Sequence, residues 1–112
     1  MTETAAPTSL FIGGQWLRTP ASFEVIDPSD YGVLAEVSDA GVQEGLEAVT
    51  AAHEAFQTWS VTPARQRAEV LRKAWEIMTA EAEVCARLIA LENGKAWRDA
   101  MGETIYAAEF FR

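Results

Sequence analysis

Apolar residues near the start of the chain come in short runs that are separated by turn-forming residues. Residues 10–12 (LFI) and 15–17 (QWL) flank a pair of glycines. Two glycines between apolar runs are typical of a two-residue hairpin turn, whose central positions require a positive φ. A second pair of apolar runs, residues 23–26 and 33–37, flanks the turn-forming stretch DPSDYG. The pattern therefore predicts two short β-hairpins.

Beyond residue 40 the apolar residues are spaced three and four apart, which is the period of an amphipathic helix. Ser38 or Asp39 is placed to cap the first helix, because each has a side-chain oxygen for the unpaired amides of the first turn. The apolar stripe of this helix consists of Val42, Leu46, Val49 and Phe56.

The next helical pattern is unusually long. Pro63 is expected in its first turn, where the missing N–H costs little. One apolar row contains Ala64, Ala68, Leu71, Trp75, Met78, Ala82, Cys85 and Ile89. A neighbouring row contains Val70, Ala74, Ile77, Val84, Leu88 and Leu91. Because two rows form a face wider than one packing partner usually covers, we expect this helix to be sandwiched within a larger fold or by a partner chain. A break near residues 79–81 would divide it into two helices of ordinary length.

The pattern then stops at Asn93-Gly94 and restarts in a new direction. Gly94 suits the left-handed position just past the C-terminus of a helix. A glycine in the middle of the last helix, Gly102, predicts the close approach of a neighbouring backbone. The apolar residues of this last helix are Trp97, Met101, Ile105 and Ala108.

Glu92 occupies the C-terminal end of the long pattern, where the helix macrodipole disfavours a carboxylate. A cation beside Glu92 would reverse that penalty. The simpler interpretation is a salt bridge from Glu92 to Lys95 or to an arginine, and a bound metal ion is the alternative.

Composition places the chain among globular proteins and excludes some functions. Its 112 residues suffice for one domain or part of one, and 49% of them are hydrophobic. The net charge of −8 is concentrated in residues 1–60, which contain nine acidic residues and a single basic one, Arg18. No basic patch is available to neutralise phosphates, so nucleic-acid binding is not expected.

The ends and the hydropathy of the chain suggest a location. Residues 1–8 are small and polar and are predicted to form a flexible tail. No basic stretch followed by an apolar one begins the chain, so a secretory signal is not expected. Because no apolar run reaches the roughly 20 residues that span a bilayer, we expect a soluble, cytoplasmic protein without membrane contact.

Two single residues invite a chemical role that the pattern does not support. Cys85, the only cysteine, falls within an apolar row and is predicted to be a buried, inert thiol. His53, the only histidine, lies at the edge of the stripe on the first helix. One histidine with no cysteine beside it makes a zinc site implausible, so a boundary or surface role is expected.

The order of several segments resembles the aldehyde dehydrogenases, most closely those of the succinate-semialdehyde dehydrogenase type. The resemblance runs from residue 10 onward through LFIGGQW, FEVIDPS, GVLAEVSDA, AAHEAFQTWS, TPARQRAEVLRKA and LENGKAWRDAMGETIYAAEFFR. It implies an α/β fold in which residues 9–112 form the N-terminal portion of the NAD(P)-binding domain. Two short β-hairpins followed by three or four amphipathic helices would make up this portion.

The resemblance also implies an activity and sites. The parent enzyme would oxidise an aldehyde, such as succinate semialdehyde, with NAD or NADP, and its catalytic and cofactor-binding residues would lie beyond residue 112. A structural potassium or sodium ion would be held by the backbone of Ile26, with Val25 beside it, and by Glu92. Glu103, Tyr106 and Phe110 would lie at the mouth of the substrate tunnel.

Two kinds of partner follow. The wide apolar face predicts contact with the remainder of a parent chain or self-association, with residues 110–111 (FF) buried in the contact. The resemblance implies a homo-oligomer. A different function, a non-enzymatic helical interaction module that uses residues 64–91, is the alternative to an enzyme segment.

Overall fold

Two β-hairpins and four α-helices follow one another along residues 6–112, the part of the chain that this computed structural model describes. The elements are β1 (Leu10–Ile12), β2 (Gln15–Leu17), β3 (Ser22–Ile26), β4 (Val33–Ser38), α1 (Val42–Trp59), α2 (Ala64–Ala80), α3 (Ala82–Asn93) and α4 (Trp97–Glu109). This order confirms the predicted fold class.

The first hairpin has the predicted turn. Its register pairs Ile12 with Gln15, so that only Gly13 and Gly14 form the loop. Both glycines have a positive φ, 57° and 79°, as a two-residue turn with matching twist requires. β3 and β4 form the second two-stranded sheet.

The described residues divide into two compact units. The N-terminal unit comprises residues 6–25 and 35–62, and the helical unit comprises residues 26–34 and 63–112.

Within the N-terminal unit, α1 packs on the first hairpin through small residues. A Cβ added at Gly13 would lie 3.7 Å from the Cβ of Ala51, which is half-buried. Most of the predicted tail lies outside the described residues, although the carbonyl of Thr8 accepts a hydrogen bond of 2.9 Å from the backbone N–H of Ser38.

The predicted cap of α1 is wrong. The helix begins after Gly41, whose backbone N–H donates to the Glu44 carboxylate at 2.8 Å. Ser38 ends β4, and its hydroxyl accepts a hydrogen bond from the backbone N–H of Thr19 at 3.4 Å. The side chain of Ser38 is therefore hydrogen-bonded in the strand region, four residues before the first residue of the helix.

In the helical unit, the predicted break is confirmed, since Glu81 (φ −102°, ψ 19°) separates α2 from α3. Pro63 is the residue before the first turn of α2, with φ −51° and ψ 137°, and not a member of that turn. Its carbonyl accepts hydrogen bonds from the backbone N–H groups of Gln66 and Arg67.

The buried residues of the helical unit are small. They are Ala86 of α3 and Ala100, Thr104 and Ala108 of α4. The Thr104 hydroxyl donates a hydrogen bond of 3.1 Å to the carbonyl of Ala100. This buried hydroxyl is therefore paired within α4 and needs no partner from another helix. Small side chains at every fourth position allow α4 to lie close to α3 and α2.

Two expectations for this unit are wrong. Cys85 is half-buried, because the residue that α3 buries fully is its neighbour Ala86. No atom lies within 4 Å of a Cβ added at Gly102. Gly102 is about 200° around α4 from Ala100, so it points away from the buried stripe.

Candidate functional site

The corner between α3 and α4 lies against the turn that follows β3. Gly94 ends α3 in the left-handed conformation (φ 63°, ψ 25°), as predicted. A Cβ added at Gly94 would lie 3.0 Å from Cγ of Pro28. Pro28 comes two residues after Ile26, and Gly94 comes two residues after Glu92. The contact therefore brings together the two segments that the resemblance assigned to a cation site.

The β3–β4 turn is held by its own hydrogen bonds. The backbone N–H of Asp27 donates to the carbonyl of Gly32 at 2.9 Å, and the N–H of Tyr31 donates to the carbonyl of Asp27 at 2.8 Å. The Ser29 hydroxyl, and then the Ser29 backbone N–H, lower the pKa of the Asp27 carboxyl below its ordinary value of 3.8. Asp27 is thus charged at neutral pH and fixes the start of the turn.

Glu92 is exposed in the last turn of α3, and that turn contains no basic residue. The predicted salt bridge from Glu92 to Lys95 is wrong. Lys95 Nζ pairs with Glu103 Oε1 of α4 instead. Lys95 follows Gly94, and the left-handed turn redirects the chain there, so its side chain meets the next helix and not the one before it.

A metal ion at this corner would require backbone ligands. Over residues 6–112, no cluster of three or more His, Cys, Asp and Glu side chains could hold a metal ion. The oxygen ligands that the resemblance names in these two segments are the Ile26 carbonyl and the Glu92 carboxylate. Such oxygens suit a weakly held monovalent cation and not zinc, which takes nitrogen and sulfur ligands.

The three residues that the resemblance assigned to a tunnel mouth share one face of α4. Glu103, Tyr106 and Phe110 are spaced three and four apart and are all exposed. The rings of Tyr106 and Phe110 pack edge to face with their centroids 5.0 Å apart. This face lies about 130° around the helix from the buried stripe, so the folding of this unit leaves it uncovered.

A groove next to this face was not singled out by sequence reasoning. It encloses about 70 Å³ between α2 and α4. The lining residues are Trp75, Met78, Thr79, Ala82, Thr104, Ile105, Ala108 and Glu109. At one side the Arg112 guanidinium lies 5.6 Å from the centroid of a Trp75 ring. The signal for the groove was present, since Trp75 and Ile105 belong to apolar rows of different helices, but the crossing of those helices was not predictable from spacing.

Cys85 is a free, half-buried thiol on α3, and His53 is exposed on α1. None of the four helices has the length and hydropathy that crossing a membrane would need.

Comparison with known proteins connects this geometry to a family. Residues 16–112 match the aldehyde dehydrogenase family. The mitochondrial succinate-semialdehyde dehydrogenase of Rattus norvegicus is 41% identical over 100 residues, which are 89% of this chain and 19% of the rat protein. The NADP(+) succinate-semialdehyde dehydrogenase of Saccharomyces cerevisiae is 39% identical over 90% of this chain and 20% of its own length.

Solved structures agree with these matches. The crystal structure of succinate-semialdehyde dehydrogenase from Burkholderia pseudomallei superposes with a TM-score of 0.90 and 32% identity, over 98% of this chain and 23% of that one. The chain thus spans about a fifth of the length of the relatives it matches.

Proposed function

Because the chain belongs to the aldehyde dehydrogenase family, we propose that it forms the N-terminal portion of the NAD(P)-binding domain in an enzyme that oxidises succinate semialdehyde to the acid. The observation that carries this proposal is the match of residues 16–112 to the family. The names of the rat and yeast relatives support the choice of substrate. No observation favours the alternative, a non-enzymatic helical module.

Burial supports the view that residues 9–112 are part of a larger domain. Three alanines are the buried apolar residues, and no large side chain is fully buried among the residues that the structure describes. Large apolar side chains such as Val70, Leu71, Ile77 and Val84 remain about half exposed on α2 and α3. In the proposed enzyme, further parts of the polypeptide cover this face.

The cofactor of the proposed enzyme is NAD or NADP, whose nicotinamide ring accepts a hydride from the substrate. The chemical groups that react would come from other parts of the enzyme. Residues 6–112 contribute the support on which the rest of the nucleotide-binding domain packs, so the 112-residue chain by itself is expected to be inactive.

The Ile26 carbonyl and the Glu92 carboxylate are our proposed ligands for a structural potassium or sodium ion. The Pro28–Gly94 contact supports this pairing, because it holds the two segments together at the corner. A cation there would also offset the unfavourable position of Glu92 at a helix C-terminus, an effect of roughly 0.3–1 kcal/mol at an exposed site.

Glu103, Tyr106 and Phe110 are our proposed residues at the mouth of the substrate tunnel. The support is that they share an exposed face of α4, on which the rings of Tyr106 and Phe110 pack edge to face. Lys95 pairs with Glu103, which offsets the charge of that carboxylate.

A homo-oligomeric, cytoplasmic enzyme without contact to membranes or nucleic acid completes the proposal. The acidic balance of the chain supports the absence of nucleic acid, since phosphate neutralisation needs lysine and arginine. The compartment is open to test, because the rat relative is named as mitochondrial.

The substrate is tested with the enzyme expressed from its whole reading frame. Initial rates of NADH and NADPH formation are compared for succinate semialdehyde and for butanal, a neutral aldehyde of the same chain length. We expect kcat/KM to be at least about tenfold higher for succinate semialdehyde, because a charged contact is worth more than 1.4 kcal/mol. A preference for butanal would show that the substrate is another aldehyde while leaving the reaction type in place.

A further inference from the structure

We propose that Asn93 is a deamidation site, and that its modification loosens the corner between α3 and α4. Asn93 is the only asparagine in the sequence, and Gly94 follows it. Asparagine forms a cyclic imide most readily when glycine follows, because a residue without a Cβ leaves its backbone nitrogen sterically free to attack the asparagine side chain. Both residues are exposed to solvent.

The backbone nitrogen of Gly94 is the nucleophile of this reaction, and it differs from its equivalents in the other helices. At the ends of α1, α2 and α4, the residue after the helix donates its backbone N–H to a carbonyl of that helix. Within residues 6–112, no backbone carbonyl accepts the N–H of Gly94. The nitrogen that must react is therefore not tied to α3.

Asn93 must leave its helical conformation before the ring closes, because a helical backbone holds the following nitrogen away from the side chain. Asn93 is the last residue of α3. The end of a helix opens at little cost, since few hydrogen bonds depend on it. The left-handed turn at Gly94 ends the helix at this residue, so the opening does not have to extend into α4.

The reaction consumes only water. The Gly94 nitrogen loses its proton to hydroxide and bonds to Cγ of Asn93, and the side-chain nitrogen of Asn93 leaves as ammonia. Water then opens the cyclic imide. Hydrolysis of the new bond to Cγ leaves aspartate, and hydrolysis of the bond to the backbone carbonyl carbon leaves isoaspartate, whose main chain is longer by a methylene. The proposal therefore needs no partner and does not depend on the enzymatic role.

Either product adds a negative charge to the end of α3 that already carries the exposed carboxylate of Glu92. The last turn of α3 contains no basic residue, and Lys95 pairs with Glu103. The helix macrodipole also disfavours negative charge at this end. Isoaspartate in addition displaces Gly94, where a Cβ would lie 3.0 Å from Cγ of Pro28. Deamidation therefore weakens the contact between the corner and the β3–β4 turn.

Peptide mapping of the enzyme expressed from its whole reading frame, stored in mildly alkaline buffer, tests the site. Trypsin releases residues 88–95 (LIALENGK), because it cleaves after Arg87 and Lys95. Deamidation raises the mass of this peptide by about 1 Da, and chromatography separates the aspartate and isoaspartate forms. A sample digested before storage corrects for deamidation during digestion.

We expect both forms to accumulate, and to do so faster at higher pH, because the attacking nitrogen must lose its proton. Opening at a helix end should slow the reaction by less than about a hundredfold relative to the free peptide of the same sequence. A larger slowing would mean that the fold protects Asn93 and would overturn the proposal. Asn93→Gln is the matched control, because glutamine closes a larger ring much more slowly. A mass increase that persists in this variant would overturn the assignment to Asn93.

The effect on the corner is tested by comparing Asn93→Asp with Asn93→Gln. The charged variant should melt about 1–2 °C lower at low ionic strength, and the gap should shrink at high ionic strength, where charges are screened. Choline chloride sets the ionic strength, so that neither potassium nor sodium is present to bind at Glu92. Equal melting temperatures at low ionic strength would overturn the proposed loosening.

Discussion

Tyr31 has a positive φ of 62°, a conformation that residues other than glycine rarely adopt. Its ring is 82% exposed, so packing contributes little to holding the residue there. The hydrogen bonds that its own N–H and the following Gly32 N–H donate, to Asp27 and Asp30, impose the conformation. The turn that meets the α3–α4 corner therefore carries a strained residue at its tip.

Replacing Tyr31 with glycine should stabilise the chain. A left-handed residue costs about 1–2 kcal/mol, and the extra freedom of glycine in the unfolded state returns roughly 0.5–1 kcal/mol of that. We expect a net gain of about 0.5–1 kcal/mol in the free energy of unfolding, measured by urea denaturation. Tyr31→Ala is the control, because it removes the ring and keeps the strain. Equal stability of the two variants would show that the backbone is not strained.

At the scale of elements, Gly94 and Gly102 occupy opposite situations within 10 residues. Gly94 terminates α3 with a positive φ and has Pro28 against it, whereas Gly102 lies in the middle of α4 with open space around it. The first glycine is required by the corner, and the second only weakens its helix.

Alanine substitutions should therefore have opposite signs. Gly94→Ala should lower the free energy of unfolding by about 1–2 kcal/mol, from the left-handed conformation and the contact of 3.0 Å with Pro28. Gly102→Ala should raise it by up to about 1 kcal/mol through helix propensity. Thermal and urea unfolding of the two variants side by side provide the measurement. Destabilisation by Gly102→Ala would mean that a neighbour approaches α4 there after all.

Local signals made some of these elements predictable. The turn at Gly13 and Gly14 and the helix end at Gly94 were predictable from the sequence, because each conformation depends on only one or two residues. The interruption of the long apolar pattern at Glu81 was also predictable, since helix length limits it. The partners of Ser38 and Lys95 were not predictable. Ser38 accepts a hydrogen bond within the strand region, and Lys95 forms an ion pair with Glu103. Those outcomes depend on where distant segments lie, which spacing does not contain.

The candidate site was also predictable only in part. The resemblance suggested Ile26, and the helix-end position together with the resemblance suggested Glu92. The structure adds the Pro28–Gly94 contact that joins their segments. The groove beside Trp75 and Ile105 arises from the crossing of two helices, so no single stretch of the chain encodes it.

For the whole molecule, the cation site makes a testable statement about stability. In the enzyme expressed from its whole reading frame, Glu92→Gln should remove the gain in melting temperature that potassium or sodium chloride gives over choline chloride. The chemical step should be little affected, because the site joins structural segments. Glu83→Gln is a matched control, since Glu83 is an exposed carboxylate in the first turn of the same helix. A Glu92→Gln variant that keeps the full response to both salts would leave Glu92 without a metal role.

The large apolar residues left exposed on α2 and α3 indicate how the molecule is organised. Over residues 6–112 the buried apolar residues are three alanines, which give little hydrophobic burial to offset the entropy of folding. The matched relatives are about five times as long, and in the proposed enzyme further polypeptide would cover these residues.

The most direct test compares the formation of NAD(P)H by the 112-residue chain and by the enzyme expressed from its whole reading frame, at equal molar concentration with succinate semialdehyde. The proposed function predicts steady production by the whole enzyme, followed by absorbance at 340 nm, and none by the 112-residue chain. A whole enzyme that fails to reduce NAD or NADP with any aldehyde, or a 112-residue chain that reduces either one, would contradict it.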